Sequence, residues 1–294
     1  MPSSSSYGST DDIIDSISSS SRKNTKRKHE DSKMDDTELY QNAGKKALSL
    51  LDTFSVPSAA FKTGLQFDRG GKCDPKQSNN VTYQHLLLYN GIIDYIPGLK
   101  SELNDILSKK LNKIIAMVLK GMSDSRSADL SSVKHKGLQY IGLNMYSKAN
   151  TLDLPIPEVE DKSMHGLNHP QLARLLCPWK KLDWFDEDPD FAMATLQAGE
   201  ITMTAYNWPT FFYEHDIYNS AKKTNAKLSK NHAWGLTAVN KYIMAYIHII
   251  TYFTISSAQH WTQYIGDMDL DELLWAIVEM LDDDDDPWVK DTLA

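Results

Sequence analysis

The residues best equipped for chemistry are carboxylates and histidines. Glu158, Glu160 and Lys162 have the composition of a metal-dependent nuclease centre, where carboxylates hold magnesium and a lysine steadies developing charge. Such centres lie on strands, whereas these residues follow Pro155 and Pro157 in an irregular connection. Asp183, Asp186, Glu187 and Asp188 offer a second set of hard oxygen ligands, although Asp186 and Asp188 fit equally well as turn and cap residues ahead of Pro189. His165 and His169 have the four-residue spacing of helical metal ligands, but Gly166 lies between them, Pro170 follows, and no third ligand accompanies them. Gly70-Gly71-Lys72 fails as a phosphate loop, because the first glycine of that motif falls on Gln66 and Cys73 stands where a magnesium-binding hydroxyl belongs. Asp282 to Asp286 lacks the central glycine and closing glutamate of a calcium loop. There is neither a serine elbow nor a catalytic cysteine and histidine neighbourhood. No catalytic residue, metal ligand or cofactor-binding residue is therefore assigned, and no cofactor is expected.

Aromatic residues recur among turn-forming and acidic ones at Trp179, Trp184 and Trp208, followed by Phe211, Phe212 and Tyr213. Their rings offer stacking faces for a base or a peptide, but a buried indole anchors a core just as well. Trp179, Trp184, Trp208, Phe211 and Tyr213 are thus the candidate aromatic residues, as surface or as core.

The elements that would position these residues are helical. Leu39, Tyr40, Ala43, Ala47, Leu50, Leu51 and Phe54 form one apolar stripe. Gly64, Gly70, Gly71 and Pro75 then break regular structure, with a loop over Gly70 to Gln77. A buried helix resumes from Tyr83 and ends before Pro97. Leu99, Leu103, Ile106, Leu107, Leu111, Ile114, Ile115, Val118, Leu119 and Met122 predict one long helix that serves as a spine, with Lys109, Lys110 and Lys113 outward and Gly121 near its end. After a Ser-rich turn, Val133, Leu138 and Ile141 suggest a shorter helix. Asn168 reads as a cap for a helix from Pro170 to Leu176. Asp188 reads as the cap of a second helix that starts at Pro189, buries Phe191 and Leu196, and ends at Gly199. Thr204 to Tyr213 reads as an aromatic helix, Asn219 to Asn231 as a loop, and Val239 to Ile255 as a core helix in preference to a strand. Leu270, Leu273, Leu274, Ile277, Val278 and Leu281 make a last amphipathic helix, capped by Asp267 or Asp269 and followed by the unfavourably placed charges of Asp282 to Asp286. The expected fold is mainly α: a single helical domain over 37–294 behind a disordered, partly basic tail over 1–36 that is too poor in apolar residues to fold.

Composition narrows the partners. A net charge of -8 argues against non-specific coating of nucleic acid, which needs many cations against phosphates. Within the tail, Arg22, Lys23, Lys26, Arg27 and Lys28 form a compact basic cluster, read as a nuclear-import address or as a solvated charge run. Cys73 and Cys177 are too few for a disulfide scaffold or a zinc module, which points to a reducing compartment. The apolar run from Tyr242 to Ile255 falls short of the roughly 20 residues a bilayer requires, so no membrane partner is expected.

Several separated motifs occur in order: Tyr83-Gln84, Ile96-Pro97-Gly98-Leu99, Ser125-Arg126-Ser127-Ala128-Asp129, Leu175-Leu176-Cys177-Pro178, Leu182-Asp183-Trp184, and Trp208-Pro209 through Tyr213. Over Tyr83 to Tyr218 the chain resembles an uncharacterised family of basidiomycete fungal proteins, a domain of unknown function. The resemblance implies no activity, cofactor or catalytic residue. The chain departs from the pattern after Tyr218, where it is internally shortened, and at Thr292-Leu293-Ala294, where similar proteins run on.

Two functions fit. The first is a non-enzymatic binding protein of the nucleus or cytoplasm, with protein partners and the basic tail as import signal. The second is a metal-dependent hydrolase acting on nucleic acid, of mobile-element origin, with Asp183, Asp186, Asp188, Glu158 and Glu160 as ligands.

Overall fold

Helix α1 (Asp36–Leu50) turns Tyr40, Ala43, Ala47 and Leu48 inward, following the stripe in its sequence. The computed structural model describes residues 36–70, 81–136, 138, 161–212, 240–282 and 289. Within it the chain is mainly α-helical, and one compact unit begins at Asp36. The basic cluster Arg22 to Lys28 lies outside the described residues, as do Glu158, Glu160, Tyr213 and Asp283 to Asp286.

Phe54 lies beyond the end of α1, in a turn that the buried Asp52 holds. Its carboxylate accepts the Phe54 and Ser55 amides at 2.9 and 3.0 Å. Helix α2 (Pro57–Asp68) then starts on Pro57, whose fixed φ suits a first turn. Gly64, a glycine expected to break regular structure, is helical. A side chain there would overlap the ring of Tyr89 on α3 (Val81–Tyr95), so this glycine serves close packing.

The expected spine is two helices. A single turn, α4 (Leu99–Glu102), is separated from α5 (Ser108–Lys136) by a bend in which the Asp105 amide donates to the Glu102 carbonyl. Leu107, placed on the buried stripe by its spacing, is 77% exposed, and Leu119 also faces out. Helix α5 then runs on through the expected Ser-rich turn and takes in Val133. Its 29 residues span about 43 Å. Gly121 is well inside α5. There it meets α1 so closely that a Cβ would overlap the Gln41 carbonyl, while one on Gly44 would overlap the Val118 carbonyl.

In the C-terminal half, α6 (Pro170–Leu176) leads to α7 (Leu182–Glu187) and α8 (Pro189–Gln197). The cap position of α6 is His169, whose side chain does not cap the helix. Asn168 instead donates to the Ser163 carbonyl at 2.7 Å. Thr204 to Tyr213 is not a helix in its described part. Pro178 and Pro209 form an isolated antiparallel bridge, with the Trp179 amide on the Trp208 carbonyl and the Thr210 amide on that of Cys177, and only Thr210–Phe212 coils. Pro209 has no amide to give a helix and disfavours the helical conformation of Trp208 before it.

Helix α9 (Lys241–Ile255) forms as expected, capped by Asn240, whose side chain accepts the Ile243 amide at 2.9 Å. A short hairpin, β1 (Tyr264–Ile265) with β2 (Met268–Asp269), has no precursor in the sequence reading. Asp269 caps α10 (Leu270–Met280) by accepting the Asp271 and Glu272 amides. Beyond α10, Asp282 pairs with Lys241 of α9. Among the described residues, no helix is long and apolar enough to cross a membrane.

Two large cores result. One joins α1, α2, α3 and α5 with Tyr246 and Ile250 of α9, and the other joins α6, α9 and α10. Trp261 packs against both. A third, small cluster of Ala173, Cys177, Phe185, Ala192 and Leu196 holds α6, α7 and α8 together.

Candidate functional site

That small cluster positions a surface on which an exposed and a half-buried aromatic side chain meet. On α7, Phe185 points into the cluster and Trp184, the next residue round the helix, lies half-buried beside it. On α8, Ala192 and Leu196 face the cluster. Phe191 cannot share their face, because five residues separate it from Leu196, a rotation of about 140° from alignment. It is 59% exposed, contrary to the buried position read from the sequence. Its ring packs edge-on against Trp184, with centroids 6.4 Å apart. The backbone beneath is fixed: the Phe191 amide donates to the Asp188 cap at 3.1 Å, and the Phe191 carbonyl accepts the Thr195 hydroxyl at 2.8 Å.

Carboxylates surround the pair in sequence. Asp183 and Glu187 are one turn apart on α7, opposite Phe185, and both are exposed, as is Asp190. Asp186 is held by Arg174 of α6 in a two-pronged contact, Nε to Oδ1 at 2.7 Å and Nη2 to Oδ2 at 2.9 Å, which lowers its pKa below the usual carboxylate value.

The other candidate aromatics separate. Trp179 is 42% exposed and belongs to the bridge with Trp208, which is half-buried against the α6, α9 and α10 core. Phe211 is core, stacked on His248 at 6.2 Å and beside Tyr252 at 6.4 Å. Phe191, expected in the core, is the residue that completes the face.

Of the carboxylates proposed as metal ligands, Glu158 and Glu160 lie outside the described residues and Asp183 is exposed on α7. Asp186 is paired with Arg174 and Asp188 caps α8. Among the described residues, no three histidine, cysteine, aspartate or glutamate side chains are placed to hold a metal. Cys177 is fully buried, and burial raises its thiol to about 11, which leaves it protonated and unreactive at neutral pH.

His165 and His169 are buried rather than presented. His165 lies against a cavity of about 20 Å³, room for one water, beside Lys162, Phe253, Thr254 and Gln259. Lys162 donates to the Phe253 carbonyl at 2.6 Å and sits 4.0 Å from that ring's centroid. Burial, then the charge of Lys162, lowers the His165 pKa, and burial lowers that of His248, whose Nδ1 lies 2.7 Å from the Met244 carbonyl. The unfolded chain therefore takes up protons near pH 6.5 that the folded chain refuses. The imidazole contribution to stability is flat above that value and should fall on acidification by about 1.4 kcal/mol per pH unit for each imidazole, until the folded pKa is reached. Urea unfolding at pH 7.5, 6.5 and 5.5 checks this. The His165→Gln and His248→Gln double substitution should remove the fall on acidification.

A second polar group lies at the start of α10. Burial, then the carboxylates of Asp52 and Asp269, raises Asp271 to about 7. Its unfolded value is near 4, so the sign is opposite: stability falls as pH rises from about 4 to about 7 and stays lowered above. Asp271→Asn should stabilise the protein at pH 8 by about 1–3 kcal/mol, after discount for its partial exposure, and by progressively less towards pH 4. Urea midpoints at both pH values measure the difference.

Residues 120–232 and 220–294 match the model of a family of unknown function, DUF6698. The chain belongs to this family. The match starts later than the Tyr83 to Tyr218 resemblance and runs further. It covers the Ser125 to Asp129 motif, α6 to α10 and the Trp184–Phe191 face, and leaves α1 to α4 outside. Its two segments overlap at 220–232. No curated protein and no solved structure matches the chain.

Proposed function

We propose that the chain is a non-enzymatic interaction protein and that the Trp184–Phe191 pair is where it meets a partner protein. The supporting observation is the exposure of Phe191 against Trp184 on a rigidly capped helix. Single exposed apolar side chains are ordinary, but a touching pair of large rings on two adjacent helices is a contact in waiting. Aromatic residues are the commonest energetic centres of protein interfaces. The carboxylates around the pair disfavour nucleic acid as the occupant, in line with the net charge of -8.

The basic cluster Arg22, Lys23, Lys26, Arg27 and Lys28 belongs to this reading as a nuclear-import signal, and the basidiomycete source belongs with it through the resemblance. A reporter fused to residues 1–36 should enter the nucleus, and a wholly cytoplasmic reporter removes the nuclear part. For the face itself, native-cell extract treated with nuclease should yield proteins on the wild-type chain that Phe191→Ser and Trp184→Ser fail to retain. Retention unchanged by both substitutions overturns the assignment. Nothing favours the hydrolase reading: Asp186 and Asp188 serve an ion pair and a helix cap.

A further inference from the structure

On the reading that Trp184 and Phe191 form a binding face, the geometry points to its occupant: we propose an arginine-bearing segment of a partner protein, stacked on the exposed Phe191 ring beside half-buried Trp184 and paired with Asp183, Glu187 and Asp190. Charge complementarity gives the sign. From Trp179 to Phe191 the carboxylates Asp183, Asp186, Glu187, Asp188 and Asp190 outnumber Lys180 and Lys181. Among the described residues, Asp183, Glu187 and Asp190 are exposed and hold no hydrogen-bonding or ionic partner, so no internal cation neutralises them.

Chemistry selects arginine over lysine. A guanidinium is planar, lies flat on an aromatic ring and meets a carboxylate through two parallel N–H donors, whereas an ammonium is a strongly hydrated point charge. Helix α7 already shows this contact within the chain, since Arg174 grips Asp186 through both prongs at 2.7 and 2.9 Å. A partner arginine on Asp183 or Glu187 repeats it on the outward side of the same helix. Lys180 and Lys181, just before α7, repel a basic segment at that end and so bias it towards α8.

The test titrates the full chain with three synthetic peptides of equal length, alternating Arg-Gly, Lys-Gly and Leu-Ser, followed by tryptophan fluorescence and calorimetry at two salt concentrations. The Arg-Gly peptide should bind about tenfold more tightly than Lys-Gly, and Phe191→Ser should weaken it about tenfold. An Asp183→Asn, Glu187→Gln double substitution should weaken it comparably and reduce the salt dependence, with melting temperature unchanged in each variant. Equal binding of Arg-Gly and Lys-Gly, or preference for Leu-Ser, overturns the arginine assignment. The binding face itself survives those results if Phe191→Ser abolishes whichever binding is seen. Binding of every peptide indifferent to Phe191→Ser overturns the face as well.

Discussion

Arg126→Met should cost about 3–5 kcal/mol, enough to bring a domain of ordinary stability close to unfolding at 25 °C. Arg126 lies on α5 within the Ser125 to Asp129 motif. Its Nη2 donates to the Thr53 carbonyl at 2.6 Å, and its guanidinium lies 5.1 Å from the centre of the Trp261 ring. Burial lowers its pKa, while the Asp52 carboxylate helps to keep it charged. Asp52 is 1% exposed and its Oδ2 has no hydrogen-bonding partner, so the arginine supplies a counter-charge it can ill lose.

The position joins the two large cores. Trp261 packs against both, and one helical turn on, Asp129 accepts the Tyr246 hydroxyl of α9 at 3.0 Å. Methionine keeps the stem that packs on Trp261 but leaves the Thr53 carbonyl and Asp52 uncompensated, which is where the cost arises. Urea unfolding at pH 7.5 measures the loss. If Arg126→Met does not accumulate as folded protein, Arg126→Lys keeps the charge without the fork and should lose about half as much. A change below about 1 kcal/mol for both would show the interior contact to be incidental.

Gly121→Ala should be nearly as damaging, with a sign opposite to helix propensity. Alanine in mid-helix normally gains about 1 kcal/mol over glycine. Here the added methyl overlaps the Gln41 carbonyl of α1, so the two helices must separate. Separation loosens the contacts of Ala43, Ala47, Ile114 and Val118 around the crossing, at a net cost of about 2–3 kcal/mol. Gly44→Ala meets the Val118 carbonyl from the other side and should lose a similar amount. Since both substitutions force the same separation, their combination should cost less than the sum. Thermal and urea unfolding of the two single variants and the double variant give these values. Stabilisation by either alanine would refute the close crossing.

The helices that bury a continuous stripe were legible in the sequence because periodicity alone determines their inward face. Tyr40, Ala43 and Ala47 of α1, Leu270 to Val278 of α10, and the apolar run of α9 all behave this way. The Asp188 cap with Pro189, and Asp269 as one of two cap candidates, were readable from local hydrogen-bonding rules. What escaped depends on neighbours distant in sequence. Gly64 and Gly121 read as breakers or helix ends, yet the Tyr89 ring and the Gln41 carbonyl require them inside helices. Leu107 continued a stripe whose helix had already bent away. At the candidate face, the place of Phe191 just after a helix start suggests core. Its offset from Leu196 was the available signal that it points elsewhere.

The most direct test of the account is the thermal unfolding of Phe191→Ser. If Phe191 is displayed for a partner, it contributes little to folding, and the melting temperature should stay within about 2 °C of the wild type. A fall of more than about 6 °C would mean that the ring holds α7 and α8 together, and would contradict its assignment as a binding surface.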